Sequence, residues 1–167
     1  MTAPIETARY VLRTLRADDA DWITAEITHP RVQRWLSGPP HPFARTDAVA
    51  YLELAAGDPA YRAIEAGGEP LGVVSLAKDN LGYWLKQAAW GQGTMTEAAT
   101  ALVDWHFAQG GGLLTSGWHV GNDRSGNVLL KLGFRKTEIR REYAPVLGHD
   151  VDVQKVELAP PLHSRAL

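Results

Sequence analysis

The amino-acid sequence predicts a mixed α/β fold in which helices flank one central sheet. The chain has 167 residues, which suits a single domain, and 45% of them are hydrophobic, enough for a core. Segments of strand length alternate with longer segments whose apolar residues recur at helical spacing. Glycine-rich turns separate several of these segments. These observations give the element order β-α-α-α-β-β-β-α-β-α-β-β.

The first part of the chain is predicted to be one strand followed by three helices. Residues 8–15 alternate between polar and apolar side chains, which indicates a strand. Helices are expected at about 18–27 behind an aspartate cap, at 31–37, and from about 46 onwards. The proline-rich run at 37–42 excludes regular structure between the second and third helices.

The middle of the chain is predicted to form a β-hairpin and then one more strand. Residues 60–66 and 70–77 have strand character, and Gly67 and Gly68 between them tolerate the positive φ of a tight turn. Residues 81–87 form the next strand, which leads into a second glycine-rich turn.

The last part of the chain is predicted to contain two helices and three strands. The main helix, at 95–109, is indicated by two neighbouring apolar stripes and by the glycine triplet 110–112 that ends it. The other elements expected are a strand at 113–120, a helix at 123–132, and closing strands at 134–143 and 150–158. The tail, 159–167, contains two prolines and is expected to be frayed.

Composition excludes several functional classes. A net charge of −2, without long runs of like charge, argues against a nucleic-acid partner held by electrostatics. The chain has no cysteine, which excludes disulfides, thiolate metal sites and a cysteine nucleophile, and no metal is expected. No apolar stretch resembles a signal peptide or a membrane span. We therefore expect a cytoplasmic protein without a membrane partner.

The glycine-rich turn after strand 81–87 is the most informative segment. Residues 90–97 are Trp-Gly-Gln-Gly-Thr-Met-Thr-Glu, a turn without bulky side chains that opens a helix. Such a helix start exposes backbone N–H groups, and the helix dipole adds positive charge there. This combination predicts a phosphate or pyrophosphate site.

The turn has three other interpretations. A dinucleotide fingerprint requires a third glycine where Thr96 stands, and a Walker loop requires Gly-Lys-Ser/Thr after the second glycine. Neither requirement is met. The turn is also consistent with a helix start that binds nothing, because Thr94 and Glu97 have capping-box spacing.

A second segment, at 122–134, decides between these interpretations. It contains Asn-x-x-Ser followed by Val-Leu-x-Lys-Leu-Gly-Phe, while 82–85 and 90–98 contain Gly-Tyr-Trp-Leu and Trp-Gly-x-Gly-x-x-Thr-Glu-Ala. Together these motifs resemble the GNAT superfamily of N-acetyltransferases, and most of all its RimJ/RimL-like branch, which acetylates ribosomal-protein N-termini. Residues 12–20 also resemble the family's opening strand and helix, so the resemblance spans nearly the whole chain.

The resemblance implies a strongly twisted sheet of six or seven strands with flanking helices. It also implies a splayed gap between strands 81–87 and 113–120, in which acetyl-CoA lies. On this basis residues 1–167 form one acetyltransferase domain, with an acetyl-CoA core at 81–134 and acceptor-side helices at 18–57. Similar proteins are often homodimers, so a homodimer is a possible assembly.

The implied reaction moves an acetyl group from acetyl-CoA directly to a primary amine within a ternary complex. The acceptor is a protein N-terminus or a small-molecule amine. An acetyl-cysteine intermediate is excluded because the chain has no cysteine. The alternative is an acyl-CoA-binding protein of the same fold without turnover, which the departures from the family pattern at Asn80, Ala88 and Leu129 favour.

The cofactor residues implied by the resemblance are Leu85, Gln87, Gly91, Gln92, Gly93, Thr94, Asn122 and Lys131. The glycine turn would hold the pyrophosphate through its backbone, with side-chain donors from Gln92 and Thr94. The preceding strand would pair with the pantetheine amides. Asn122 either contacts the pantetheine or caps the next helix, and Lys131 either meets a phosphate or is solvated.

The catalytic residues are harder to assign. Ser125 stands where related enzymes often place a hydroxyl near the sulfur, and Leu129 stands where many have a tyrosine, so Ser125 is the candidate acid. The family often has an acidic residue where this chain has Asn80. The candidate bases are therefore Asp79 and His119, or water alone.

The acceptor pocket is expected to be formed by residues on the segment before the cofactor core and on the strand before the turn. The candidates are Trp35, His41, Phe43 and Tyr83. For the residues before the core, ordinary packing of the helices is the competing interpretation, which we favour for Trp22.

Overall fold

The computed structural model describes residues 2–162, which build one eight-stranded mixed sheet with helices on both faces. The strands are β1 (Ile5–Glu6), β2 (Val11–Thr14), β3 (Tyr61–Ala66), β4 (Glu69–Ala77), β5 (Asn80–Leu85), β6 (Leu114–His119), β7 (Arg135–Ala144) and β8 (His149–Leu158). They are ordered β1-β2-β3-β4-β5-β6-β8-β7, and only the β5–β6 pair is parallel.

Five α-helices accompany the sheet within residues 2–162. They are α1 (Ala20–Ile27), α2 (Pro30–Gln33), α3 (Arg45–Leu54), α4 (Thr94–Ala108) and α5 (Asp123–Lys131). Short 3-10 turns precede α1 at Ala17–Asp19 and follow β5 at Gln87–Ala89. Within residues 2–162, no helix is both long and apolar enough to cross a membrane.

The mixed α/β fold is confirmed, but the sheet has eight strands instead of six or seven. The expected strand at 8–15 is instead a short β1 followed by a turn at 7–10 and then β2. The Thr7 N–H donates to the Tyr10 carbonyl at 2.9 Å, and the Thr7 hydroxyl closes the turn by accepting from the Tyr10 N–H at 3.0 Å. Alternating polarity does not reveal a turn that a single side chain fixes. The tail contributes no regular element at 159–162, and its remainder lies outside the described residues.

Strands β5 and β6 splay apart, as expected. Their one backbone register pair within the described chain is Asn80 with Thr115. Near it, the Thr115 N–H donates to the Asp79 carbonyl at 2.9 Å, and the Ser116 hydroxyl donates to the Leu81 carbonyl at 2.7 Å. The strands then diverge, so the β5 edge beyond this point is left open.

The sheet separates two hydrophobic cores. One lies between the sheet and helices α4 and α5, and the other lies between the sheet and helices α1 and α3. Strand β5 serves both, because successive side chains point to opposite faces. Leu81 and Leu85 belong to the first core, and Trp84 packs against the second.

A buried ion pair joins β2 to the start of α1. Arg13 donates to both Asp19 carboxylate oxygens, at 2.7 and 2.9 Å, and the Trp22 indole and Arg16 N–H donate to the same carboxylate at 2.7 Å. Burial alone would raise the pKa of Asp19, but these hydrogen bonds outweigh it and hold the pKa below its usual value. The pair therefore anchors the helical layer to the sheet.

We expect Asp19→Asn to destabilise the fold by about 3 kcal/mol, because it leaves the buried Arg13 without its full partner. The free energy of unfolding is measured by denaturant titration. The control, Asp21→Asn, removes an exposed ion pair with Arg45 and should cost less than about 1 kcal/mol.

The same experiment has a defined pH dependence. Because the folded pKa of Asp19 is depressed, its contribution is present above the unfolded value of about 3.9 and is lost as pH falls through the folded pKa. The difference between wild type and Asp19→Asn should shrink in that window. Equal losses for Asp19→Asn and Asp21→Asn at neutral pH would contradict the anchoring role.

Candidate active site

A cavity of about 740 Å³ opens where β5 and β6 part. Its walls come from β5, β6 and β8, from the start of α5, and from the loop between α2 and α3. Several residues singled out from the sequence line it together: Trp35, Phe43, Tyr83, Leu85, His119, Asn122 and Ser125. The splay thus gathers residues that lie far apart along the chain.

The glycine turn lies at the edge of this cavity, since its flanking residues Trp90 and Met95 line the wall. Gly91 and Gly93 have φ values of +73° and +72°, which side chains rarely adopt. Within the described chain, the backbone N–H groups of 91–96 donate to no protein acceptor. This row of free donors at the start of a fifteen-residue helix fits a pyrophosphate.

A segment from the other end of the chain holds this turn in place, and we call residues 7–10 the N-terminal clasp. Glu97 on α4 accepts from the Thr7 hydroxyl at 2.7 Å and from the Arg9 N–H and Nε at 2.8 and 2.7 Å. Arg9 Nη1 also donates to the Gln92 carbonyl at 2.9 Å. Burial would raise the pKa of Glu97, but the bonds from Thr7 and Arg9 hold it below its usual value.

The predicted capping box and side-chain phosphate donors were wrong. Thr94 is 1% exposed, and its hydroxyl bonds to that of Tyr10 at 2.8 Å instead of capping α4. Glu97 faces the clasp, and the Gln92 side chain donates to the Ala88 carbonyl at 3.0 Å. The donors that this turn leaves free are therefore backbone N–H groups.

Two hydroxyl groups meet on the face of the sheet that carries α4 and α5. Tyr83 Oη lies 2.9 Å from Ser125 Oγ and donates to the Ser125 carbonyl at 3.1 Å. Burial raises the pKa of Tyr83 to about 12, which the bond with Ser125 partly opposes, so the phenol is protonated at neutral pH. The sequence placed Tyr83 with the acceptor, but its hydroxyl is a partner of the candidate acid.

Asn122 and Leu129 stand before and after Ser125 in the sequence. The Asn122 side chain accepts from the Ser125 N–H at 3.4 Å, which is the helix-capping interpretation, and it also lines the cavity. Leu129 is fully buried in the core. Leu129 therefore supplies no hydroxyl where many relatives have a tyrosine. The phenol that contacts Ser125 comes instead from Tyr83 on β5.

His119 lies on the face of β6 that points away from α4 and α5. Its Nε2 is 2.6 Å from the Ser37 hydroxyl, its ring is 6.4 Å from that of Trp35, and its Nδ1 is buried with no protein partner in the described chain. Burial lowers the pKa of His119, and the charge of Glu142 opposes only part of that shift. The imidazole is therefore neutral at pH 7 and able to accept a proton.

Glu142 is a site residue that sequence reasoning missed. It lines the cavity, where its Oε1 accepts from Lys155 Nζ at 3.0 Å. Glu142 lies on β7, and β8 is inserted between β7 and β6. No local motif signals a residue that reaches the cavity through this order of strands.

Four predicted site residues lie outside both the cavity lining and the glycine turn. Asp79 is exposed in the β4–β5 turn with φ +59°, which removes it as a base in this arrangement. His41 and Lys131 are exposed, and Gln87 lies in the 3-10 turn, where its carbonyl accepts from Trp90. The Leu85 carbonyl accepts from the Trp90 indole at 3.0 Å, so this carbonyl already has a partner.

Solved structures share this architecture over nearly their full length. A GNAT-family acetyltransferase from Bacillus anthracis is 16% identical with a TM-score of 0.81, covering 95% of this chain and 99% of that one. The ribosomal-protein-S5-alanine acetyltransferase from Vibrio fischeri is 23% identical with a TM-score of 0.78, covering 96% and 98%.

The microcin C7 self-immunity acetyltransferase MccE, solved with acetyl-CoA and AMP, is 19% identical with a TM-score of 0.75, covering 91% and 93%. At these identities the likeness concerns the fold. A search of curated proteins found no significant match.

The family is shown by the sequence itself. Residues 9–135 match the model of a family described as acetyltransferase (GNAT) domain, which covers more than half of the chain. This match includes Arg9 and Tyr10 of the clasp, the glycine turn and the Tyr83–Ser125 pair. The chain belongs to the GNAT family of acetyltransferases and is thus an acyltransferase with acetyl-CoA as its cosubstrate.

Proposed function

We propose that this protein acetylates a primary amine by direct transfer, with both substrates held in the gap between β5 and β6. The observation that carries the proposal is the placement of two proton-handling groups on opposite faces of this gap. The Tyr83–Ser125 pair lies on one face and the Ser37–His119 pair on the other. Motifs of the RimJ/RimL-like branch, and the fold likeness to an enzyme that acetylates a ribosomal-protein alanine, support an amine acceptor.

The cofactor side of the gap is built mainly from backbone. Acetyl-CoA supplies the activated acetyl thioester. The free N–H groups at 91–96 take its pyrophosphate, and β5 offers partners for the pantetheine amides. The Leu81 carbonyl accepts from Ser116 on β6, and the Leu85 carbonyl accepts from the Trp90 indole of the turn. Residues two apart along a strand direct their backbone groups to the same side, so the Tyr83 backbone faces the gap as well.

On the acceptor side, the chain must remove a proton from the amine. We assign this role to Ser37 and His119 acting as a relay. When the amine nitrogen bonds to the thioester carbonyl carbon, its proton passes to Ser37 Oγ while the Ser37 proton passes to His119 Nε2. Glu142 lies in the same cleft, where its charge stabilises the imidazolium that forms.

On the cofactor side, the chain must stabilise the sulfur as the carbon–sulfur bond breaks. As this bond breaks, Ser125 Oγ donates its proton to the leaving thiolate and takes the phenol proton of Tyr83, which is protonated at neutral pH, and solvent then returns a proton to Tyr83. The two hydroxyls thus supply the proton that the family's usual tyrosine position, Leu129, does not. Because the chain has no cysteine to carry the acetyl group, the proposed transfer is a single displacement.

The proposed function is tested by calorimetric titration with acetyl-CoA and by amine-dependent release of CoA thiol. The thiol assay has no protein background because the chain lacks cysteine. We expect micromolar binding of acetyl-CoA and none of NAD. Ser125→Ala should keep this affinity and lower turnover by about 10²-fold, the contribution of one general acid. Failure to bind acetyl-CoA would contradict the assignment of the glycine turn as the pyrophosphate site. Full turnover by Ser125→Ala would contradict the role of Ser125 as the general acid.

The clasp should set cofactor affinity without touching the reacting atoms. Arg9→Ala removes the bonds to Gln92 and Glu97 that fix the turn, so we expect the Kd of acetyl-CoA to rise about 10-fold, with kcat little changed. The matched control is Arg45→Ala, which removes an exposed arginine ion pair away from the cavity. Equal affinity in the two variants would show that the turn holds its shape without the clasp.

The Ser37–His119 relay predicts a specific pH profile. Below the pKa of His119, which lies under about 6.5, both the amine and the imidazole are protonated, so log kcat/KM should rise with a slope of about two. His119→Gln should leave a slope of about one and lower the rate about 10²-fold. Ser37→Ala should behave alike, whereas Ser37→Thr keeps the hydroxyl and serves as control. An unchanged slope in His119→Gln would contradict the relay.

A further inference from the structure

The acceptor half of the cleft lies on the face of the sheet that carries α1 and α3, and its walls are aromatic and aliphatic. Trp35, Leu36 and Phe43 contribute from the loop between α2 and α3, and Trp84 contributes from β5. The further apolar lining residues on this side are Ile27, Val32, Tyr51 and Val73. Such a lining recognises an apolar body rather than a polar one.

Two tryptophans of this wall are held by neighbours. The Trp84 ring lies 5.7 Å from that of Trp22, which is itself fixed by its bond to Asp19. The Trp35 ring lies beside His119, and the Arg34 guanidinium is 4.5 Å from its centroid. Preformed aromatic surfaces of this kind favour flat partners, because offset stacking adds to the burial of apolar area.

The charges that line the cavity are balanced within the described chain. Two carboxylates, Asp47 and Glu142, are matched by Arg124 and Lys155. Asp47 accepts from the Ala44 N–H at 2.8 Å at the start of α3, and Glu142 is paired with Lys155. No cluster of unpaired carboxylates lines this part of the chain to receive several ammonium groups. Beyond one ammonium group at Asp47, any further positive charge would therefore enter an apolar pocket without a partner.

We infer that the acceptor is a primary monoamine carried on a flat, apolar body, and that polycationic amines are poor acceptors. This inference deepens the proposed function and depends on it. Trp35 and Trp84 hold the apolar body. Ser37 lies two residues from Trp35 on the same loop, so a body held at Trp35 has its amine within the neighbourhood of the Ser37–His119 relay. Trp35 is then a specificity-determining residue.

The test compares acceptors at saturating acetyl-CoA in the thiol-release assay. The acceptors are 2-phenylethylamine, 2-cyclohexylethylamine, spermidine, and two tripeptides that begin with Phe or Ser and are otherwise identical. We expect kcat/KM for 2-phenylethylamine to exceed that for spermidine by about 10²-fold, since the extra charges are excluded. The aromatic amine should exceed its cyclohexyl analogue by a few-fold, the contribution of stacking.

The residue-level test uses Trp35→Leu with Trp35→Phe as the rescuing variant. We expect Trp35→Leu to raise KM for 2-phenylethylamine about 10-fold and to leave the Kd of acetyl-CoA unchanged. The ratio of kcat/KM for 2-phenylethylamine to that for spermidine should fall. Trp35→Phe should recover most of the preference. The matched control is Tyr143→Leu, which replaces an aromatic side chain that is 60% exposed on β7 and does not line the cavity.

The outcomes separate this inference from the proposed function. If acetyl-CoA does not bind, the proposed function fails. If acetyl-CoA binds and spermidine or the Ser tripeptide is the preferred acceptor, the inference alone is overturned. Preference for the Phe tripeptide supports it with a peptide N-terminus as the source of the amine, and preference for 2-phenylethylamine supports it with a small molecule. An unchanged preference in Trp35→Leu removes the role of Trp35.

Discussion

The separation of two parallel strands is the constraint on which the rest of the site depends. β5 and β6 meet at Asn80 and Thr115 and then diverge, with the Ser116 hydroxyl bonded to the Leu81 carbonyl as the last link. A sheet that stayed closed would satisfy the β5 backbone internally and leave neither a cavity nor free backbone groups. Because the strands part, polar backbone is exposed inside an otherwise apolar domain, which is stable only where a polar ligand or water reaches it.

Because side chains alternate along β5 and β6, the two faces of the sheet carry different groups at the gap. On β5, Tyr83 points to the face that carries α4 and α5, while Trp84 points to the face that carries α1 and α3. On β6, His119 meets Ser37 from the acceptor side, whereas its neighbour Trp118 packs against the first core. The Tyr83–Ser125 pair and the Ser37–His119 pair are thereby kept on opposite sides of the gap.

Local pattern was sufficient to predict the type of every helix and nearly every strand, because period and turn residues are local properties. Contiguous motifs also brought the glycine turn and Ser125 to one cleft, as the structure has them, while their roles stay a prediction. The side-chain partners were not predictable in this way. Glu97 has the spacing of a cap residue, yet it bonds to the clasp, a segment distant in the chain. Glu142 reaches the cleft only because β8 lies between β6 and β7. Asp79, next to the motif, is turned outward by the positive φ of its turn.

The clasp also accounts for a departure from the family pattern. Ala88 stands where related sequences usually have an arginine or glutamine, so a polar side chain is missing on one side of the turn. Arg9 brings a guanidinium to the other side, where Nη1 holds the Gln92 carbonyl and Nη2 lies 3.4 Å from the position a Cβ on Gly93 would occupy. A cradle made of backbone N–H groups requires a fixed turn more than it requires a particular cation. Here the clasp between β1 and β2 supplies that fixation from outside the motif, so the substitution at Ala88 is compatible with cofactor binding.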